Sequence, residues 1–205
     1  MPLNLAVVVG STRPGRVGPT IGTWVQAAAL DHGAFEPALV DLAGFDLPLL
    51  DEPQHPARQQ YEHEHTKRWA ARVAAADAFA FVTPEYDFFP PASLVNAVQV
   101  LLREWAYKPA GVVSYGGVSA GLRASQGLRQ LLGNVNVHAI PQVVPIPFFP
   151  QHIGGDGVFR PSEPMEKGMR DMLDELAKWA GALKVLRPGG EAGREPTAAW
   201  RTQAA

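Results

Sequence analysis

The sequence predicts an α/β protein, a doubly wound five-stranded parallel sheet with helices on both faces, on three observations. Five short runs rich in β-branched and apolar residues alternate with five segments of helical period. The first run, Leu3 to Val9, is apolar almost throughout, as a strand buried on both faces must be. Glycine-rich turns follow the first and fourth runs. Parallel neighbours need right-handed helical crossovers, which cover both faces of the sheet.

The elements follow in order. Leu3 to Val9 is too short for a helix and stops at Gly10. Residues 19–32 read as a helix with Pro19 in its first turn, Ile21, Trp24, Val25 and Ala28 on one stripe, and Gly33 as its stop. A short strand over 38–42 precedes a proline-rich surface loop over 46–56. Helix 61–76, strand 78–83, helix 92–105, strand 111–115, helix 121–132 and a strand within 137–144 complete the alternation. In the last helix, 163–186, Met165, Met169, Met172, Leu176, Trp179 and Leu183 recur at helical spacing, the mark of a packed stripe. Residues 1–187 are expected to form one domain. Residues 188–205, rich in Gly, Pro, Ala and Arg, are expected to be a mobile or subunit-bridging tail.

Composition narrows the function. A net charge of -2 with 46% hydrophobic and 19% charged residues argues against a nucleic-acid partner. The absence of cysteine excludes thiol catalysis, disulfides and iron–sulfur clusters, and leaves any redox role to an organic cofactor. No apolar run approaches the ~18 residues of a spanning helix, so no membrane partner is expected, and a cytoplasmic location is expected from the lack of cysteine. His63 and His65 would project about 200° apart on a helix, which argues for a solvated face and no metal site.

In doubly wound folds ligands bind beyond the carboxyl ends of the strands, so three loops matter. Residues 10–18 (GSTRPGRVG) join a buried strand to a helix N-terminus, where free amides and the helix dipole favour an anion. Ser11, Thr12 and Thr20 offer hydroxyl donors, and Arg13 or Arg16 offers the charge that a phosphate monoester needs. The glycine spacing is that of a nucleotide P-loop, but Arg16-Val17 replaces its Lys-Ser/Thr pair, and the dinucleotide pattern of glycines is absent. A terminal monophosphate suits the loop best. Residues 83–91 (TPEYDFFPP) set three aromatics and two acids at a central strand's tip, inviting a flat ligand or a second subunit. In residues 114–121 (SYGGVSAG), amides at Gly116 and Gly117 could reach a ring oxygen.

Taken together, GSTRPGR at 10–16, TPEYD at 83–87 and SYGGVSAGLRA at 114–124 resemble the NADPH-dependent FMN reductase family over about residues 3–150. The resemblance implies a flavodoxin-like fold. It puts Ser11, Arg13, Arg16, Val17 and Gly18 around the FMN phosphate. Pro84, Glu85, Tyr86 and Asp87 would border the isoalloxazine ring, and Ser114, Tyr115, Gly116, Gly117 and Ser119 its other edge. The family usually carries Asn where this chain has Asp87, which brings a negative charge toward the flavin. The implied activity is hydride transfer from NADPH or NADH to FMN, then reduction of a small-molecule acceptor such as free flavin, a quinone or an azo compound, with no catalytic side chain. Two other classes stay open: a flavodoxin-type electron carrier without nicotinamide oxidation, and a cofactor-free scaffold. The apolar circumference of 94–105 and the resemblance both suggest a homodimer, with a tetramer possible.

Overall fold

The computed structural model describes residues 2–187; the expected tail over 188–205 lies outside them. Five strands, β1 (Leu3–Val9), β2 (Phe35–Asp41), β3 (Ala78–Pro84), β4 (Lys108–Tyr115) and β5 (Val137–Ile146), form one sheet in the order β2-β1-β3-β4-β5. Every pairing is parallel. The helices are α1 (Gly18–His32), α2 (Glu64–Ala75), α3 (Ala92–Gln99), α4 (Leu122–Asn134) and α5 (Glu163–Leu183). The chain winds outward from β1 in one direction and from β3 in the other, so the strand order reverses between them, where such sheets open a ligand crevice.

Alternation along the strands divides the core in two. Ala6 and Val8 of β1, with Phe79 and Phe81 of β3, face a cluster that includes Trp69 of α2, Leu94 of α3 and Leu128 of α4. Leu5, Val7, Ala80 and Val82 face Ile21 and Val25 of α1 and Met165, Met169, Met172 and Leu176 of α5. The methionine stripe is therefore core. Gly111 marks how closely α5 lies on β4, since a Cβ there would fall 2.5 Å from the Met172 sulfur.

The helix expected over 92–105 is half that length. α3 ends at Gln99, and the chain turns back so that Val100, Leu101 and Trp105 enter the core, with Trp105 Nε1 donating to Val98 at 3.1 Å. The proline-rich loop is stapled over the same helix: Asn96 Nδ2 donates to Pro48 at 2.7 Å, and the Leu50 N–H donates to Asn96 Oδ1 at 3.0 Å. An apolar circumference that suggested a subunit contact is thus covered within one chain, because a short helix roofed by its own loop satisfies the same pattern. Strand β2 starts three residues earlier than expected, at Phe35, and Tyr61 lies before α2, bonding Glu104 at 3.0 Å.

Candidate active site

The loop after β1 is fixed at its root and open at its end. The Gly10 N–H donates to Val82 at 2.9 Å, and Ser93 Oγ donates to the Gly10 carbonyl at 2.7 Å. Helix α1 then starts without a capping side chain: Val17 stands at the cap, and the first intrahelical donor is Ile21. The amides of Val17, Gly18 and Thr20 precede that donor, so they and the positive end of the helix dipole face the loop.

Three buried or half-buried groups converge there. Arg16 donates to Asp41, at the end of β2, at 2.5 Å, while its Nε is buried with no partner among the described residues. Tyr115 is 3% exposed, yet its hydroxyl has no hydrogen-bond partner among the described residues and lies 3.2 Å from where a Cβ on Gly18 would be. Burial raises the Tyr115 phenol well above its ordinary range; nearby Tyr86 adds to that and Arg16 opposes it. The hydroxyl therefore stays protonated and can donate. Arg13 is exposed and makes no ion pair among the described residues. Of the two arginines offered by the sequence, Arg13 carries the unengaged charge, and Arg16 is already tied to Asp41.

The second loop turns on Asp87 and Phe88. Tyr86 and Phe89 exchange two backbone hydrogen bonds of 2.9 Å around them, and both central residues are left-handed, with φ 48° and 74°. Such a turn favours Asn, Asp or Gly at its first position. Asp87 thus meets the backbone requirement that an Asn would, with its side chain exposed. Tyr86 reaches back to the first loop, its hydroxyl 2.8 Å from Ser11 Oγ. Ser11 is fully buried, and that bond, with a longer one from the Arg13 N–H at 3.4 Å, occupies its hydroxyl. It fastens the loop after β1 to the loop after β3. Pro84 is buried as the last residue of β3, in register with Tyr115.

The third loop orients its amides through its carbonyls. The Phe148 and Phe149 N–H groups donate to the carbonyls of Gly117 and Gly116 at 3.1 and 3.3 Å. In a trans peptide the N–H opposes the C=O, so the following amides, Gly117 and Val118, point away from the loop after β5 and toward the β3 side. Neither has a partner among the described residues. The Gly116 N–H is already spent on Ile146 at 3.2 Å, and Ser114 Oγ on Ala120 at 2.9 Å. Expectation and structure therefore differ by one residue: Gly117 and Val118 offer the paired donors. Ser119 Oγ donates to Glu85 Oε1 at 3.0 Å.

Sequence reasoning missed Asp41, Val118 and the amides of Phe148 and Phe149. Only Asp41, an acid at a strand's carboxyl end, left a visible signal. The histidine geometry also differs from expectation. His63 is the extended residue before α2, so its ring stacks on His65, 5.2 Å between centroids. Their Nε2 atoms lie 3.8 and 3.1 Å from the two oxygens of Asp51. Among the described residues no group of three or more His, Cys, Asp or Glu is arranged to hold a metal ion.

An uncapped helix N-terminus after β1, with two further loops at the same edge of a 2-1-3-4-5 sheet, is the arrangement of the flavodoxin-like mononucleotide-binding class. The chain belongs to the NADPH-dependent FMN reductase family, whose sequence profile matches residues 3–151. It is 36% identical over 183 residues to an NAD(P)H-dependent FMN reductase of Schizosaccharomyces pombe, covering 88% of this chain and 85% of that one. A quinone reductase of Pseudomonas putida is 33% identical over 135 residues, 63% of this chain and 69% of its own. Among solved structures, FerB, a flavoenzyme NAD(P)H:(acceptor) oxidoreductase from Paracoccus denitrificans, superposes with a TM-score of 0.67 at 23% identity, over 88% of this chain and 98% of that one. No helix among the described residues is long and apolar enough to cross a membrane.

Proposed function

We infer that the protein is an NAD(P)H-dependent FMN reductase that passes electrons to a small-molecule acceptor such as free flavin, a quinone or an azo compound. The observation that carries this reading is the convergence, at one sheet edge, of an uncapped helix N-terminus with two unpartnered donors, Arg16 Nε and the Tyr115 hydroxyl. A phosphate monoester fits that set: it accepts from amides, a guanidinium and a phenol at once, and Arg13 is placed to add charge.

Val17, Gly18 and Thr20 would hold the phosphate through backbone N–H groups, with Tyr115 beneath it. Gly117 and Val118 would donate to the pyrimidine edge of the ring, and Tyr86, tied to Ser11, would fix the spacing between the two ends of the cofactor. When bound, FMN supplies the redox chemistry, taking hydride from NADPH or NADH and passing two electrons on. Amides preset toward an edge that gains charge on reduction stabilise that charge without reorganising. No side chain is asked to act as base or nucleophile.

The reductase names of the relatives favour this reading over a one-electron carrier. We further propose a homodimer, for which Phe88, Phe89, Val118 and Phe148 on the site's flanking loops and Leu122 at the start of α4, 43–81% exposed, supply an apolar surface. Cytoplasmic residence, where reduced nicotinamides are supplied, completes the proposal. Anaerobic stopped-flow mixing of the FMN-loaded protein with NADPH or NADH, followed by an acceptor panel, tests the reading. Flavin bleaching by a nicotinamide and reoxidation by an acceptor is the expected result, and bound flavin that neither nicotinamide bleaches would overturn it.

A further inference from the structure

The two loops assigned to the flavin ring are joined by one buried carboxylate. The Glu85 side chain is only 9% exposed. Its Oε1 accepts from Ser119 Oγ at 3.0 Å and pairs with Arg123 Nε at 3.0 Å, while Oε2 accepts from the Arg123 backbone N–H at 3.1 Å. Arg123 is the second residue of α4, whose own cap, Gly121, has no side chain to offer. Glu85, 38 residues away in sequence, therefore does the capping, and the helix dipole favours its negative charge. The Arg123 guanidinium in turn lies 3.9 Å over the ring of Phe88, in the same loop as Glu85. The contacts close a circuit from Glu85 through Ser119 and Arg123 to Phe88 and back. Gly117 and Val118, whose amides are unspent, sit between β4 and the Ser119 end of that circuit.

We propose that Glu85 is a positioning residue: by clamping Ser119 and the start of α4 to the ring loop, it sets the Gly117 and Val118 amides against the flavin and so tunes its reduction potential. This rests on the reading that FMN lies between these loops. Glu85 is thereby reassigned from flavin contact to support, since its two oxygens are committed to protein donors. Fixed donors favour the ring after it has gained negative charge; loosened ones favour it less. FMN affinity, which the phosphate cradle dominates, should be nearly insensitive to the clamp, whereas the reduced-to-oxidised preference should not be.

The test is Glu85→Gln, with Ser119→Ala as a milder variant that removes one contact and keeps the ion pair. Three measurements are made: FMN dissociation constant, two-electron midpoint potential, and amide hydrogen exchange of residues 114–121 with and without FMN. Glu85→Gln should change FMN affinity by less than about threefold and lower the reduced-to-oxidised preference about tenfold, which is about 30 mV more negative for two electrons, because the carboxylate charge it removes is already neutralised by Arg123 and the loosened amides outweigh it. Exchange over 114–121 should quicken even without FMN, and Ser119→Ala should move both readouts the same way by less. Arg123→Lys, which keeps the backbone N–H that Glu85 caps and a positive charge beside it, should retain most of the wild-type potential. Unchanged potential and exchange in Glu85→Gln overturn the proposal. So does loss of FMN binding with unchanged exchange, which would make Glu85 a ligand. If Glu85→Gln does not fold, the Ser119→Ala results decide. Wild-type protein that binds no FMN would instead overturn the reading beneath, while apo exchange still decides whether the clamp exists.

Discussion

Gly121 and Gly117 sit four residues apart in one loop, and replacing each by alanine should have opposite consequences. Gly121 has φ +75°, and a Cβ there would fall 2.8 Å from both the nitrogen and the oxygen of Tyr115 and 3.0 Å from Ser114 Cβ. Two of those atoms are backbone at the end of a central strand and cannot rotate away. A left-handed alanine costs roughly 1–2 kcal/mol, and forcing a methyl into packed surroundings costs about 1–3 more. At roughly 2–4 °C per kcal/mol for a domain of this size, Gly121→Ala should lower the apo melting temperature by about 4–20 °C. Gly117 has no atom within 4 Å of its Cβ position and no left-handed backbone. Gly117→Ala should melt within about 2 °C of wild type, the range of an open surface position, and lose FMN affinity instead, because in the proposed site its methyl would meet only the ligand. Differential scanning calorimetry of the apo proteins and fluorescence titration with FMN read the two effects separately. Gly121→Ala melting with wild type, or Gly117→Ala unfolding early, would refute the reasoning.

Arg13→Ala removes an exposed, unpaired charge and should weaken FMN binding by about tenfold to a hundredfold, the worth of a charge-assisted hydrogen bond, with the apo melting temperature unmoved. Arg16→Ala should weaken FMN and also lower that temperature, because it breaks the pair with Asp41; isothermal titration and calorimetry separate the cases. Asp87→Asn suits the same left-handed turn and should leave stability alone while making the midpoint potential less negative, since it removes a charge that opposes reduction; no change would mean that the carboxylate does not act on the ring. Burial holds the His138 pKa below its ordinary value, nearby Arg129 adds to this, and Glu175 opposes it. The unfolded chain therefore takes up the proton first, and stability should fall as pH drops below about 6.5 toward the folded pKa. His138→Phe, which can keep the tilted ring contact with Trp179, should flatten that part of the pH–melting curve.

The alternation of strands with helices, the approximate element positions and the three loops at the sheet edge were legible from the chain, because periodicity and turn chemistry are local properties. Element lengths were less legible where apolar residues fill the whole circumference: 94–105 can be read as one buried helix or as a short helix folded back under its own loop, and only the Trp105 and Asn96 contacts choose. The site shows the same division more sharply. That residues 10–18 join a buried strand to a helix N-terminus follows from a strand, glycines and a helix start in sequence. Which of their groups remain available does not, because Arg16 is engaged by a partner 25 residues away and Ser11 by one 75 away. Sequence by itself determined which segments carry the glycines, hydroxyls and arginines proposed for the cofactor; only the tertiary structure decided which of those groups are already engaged, since hydrogen-bonding capacity is finite and distant strands meet only once the sheet is built.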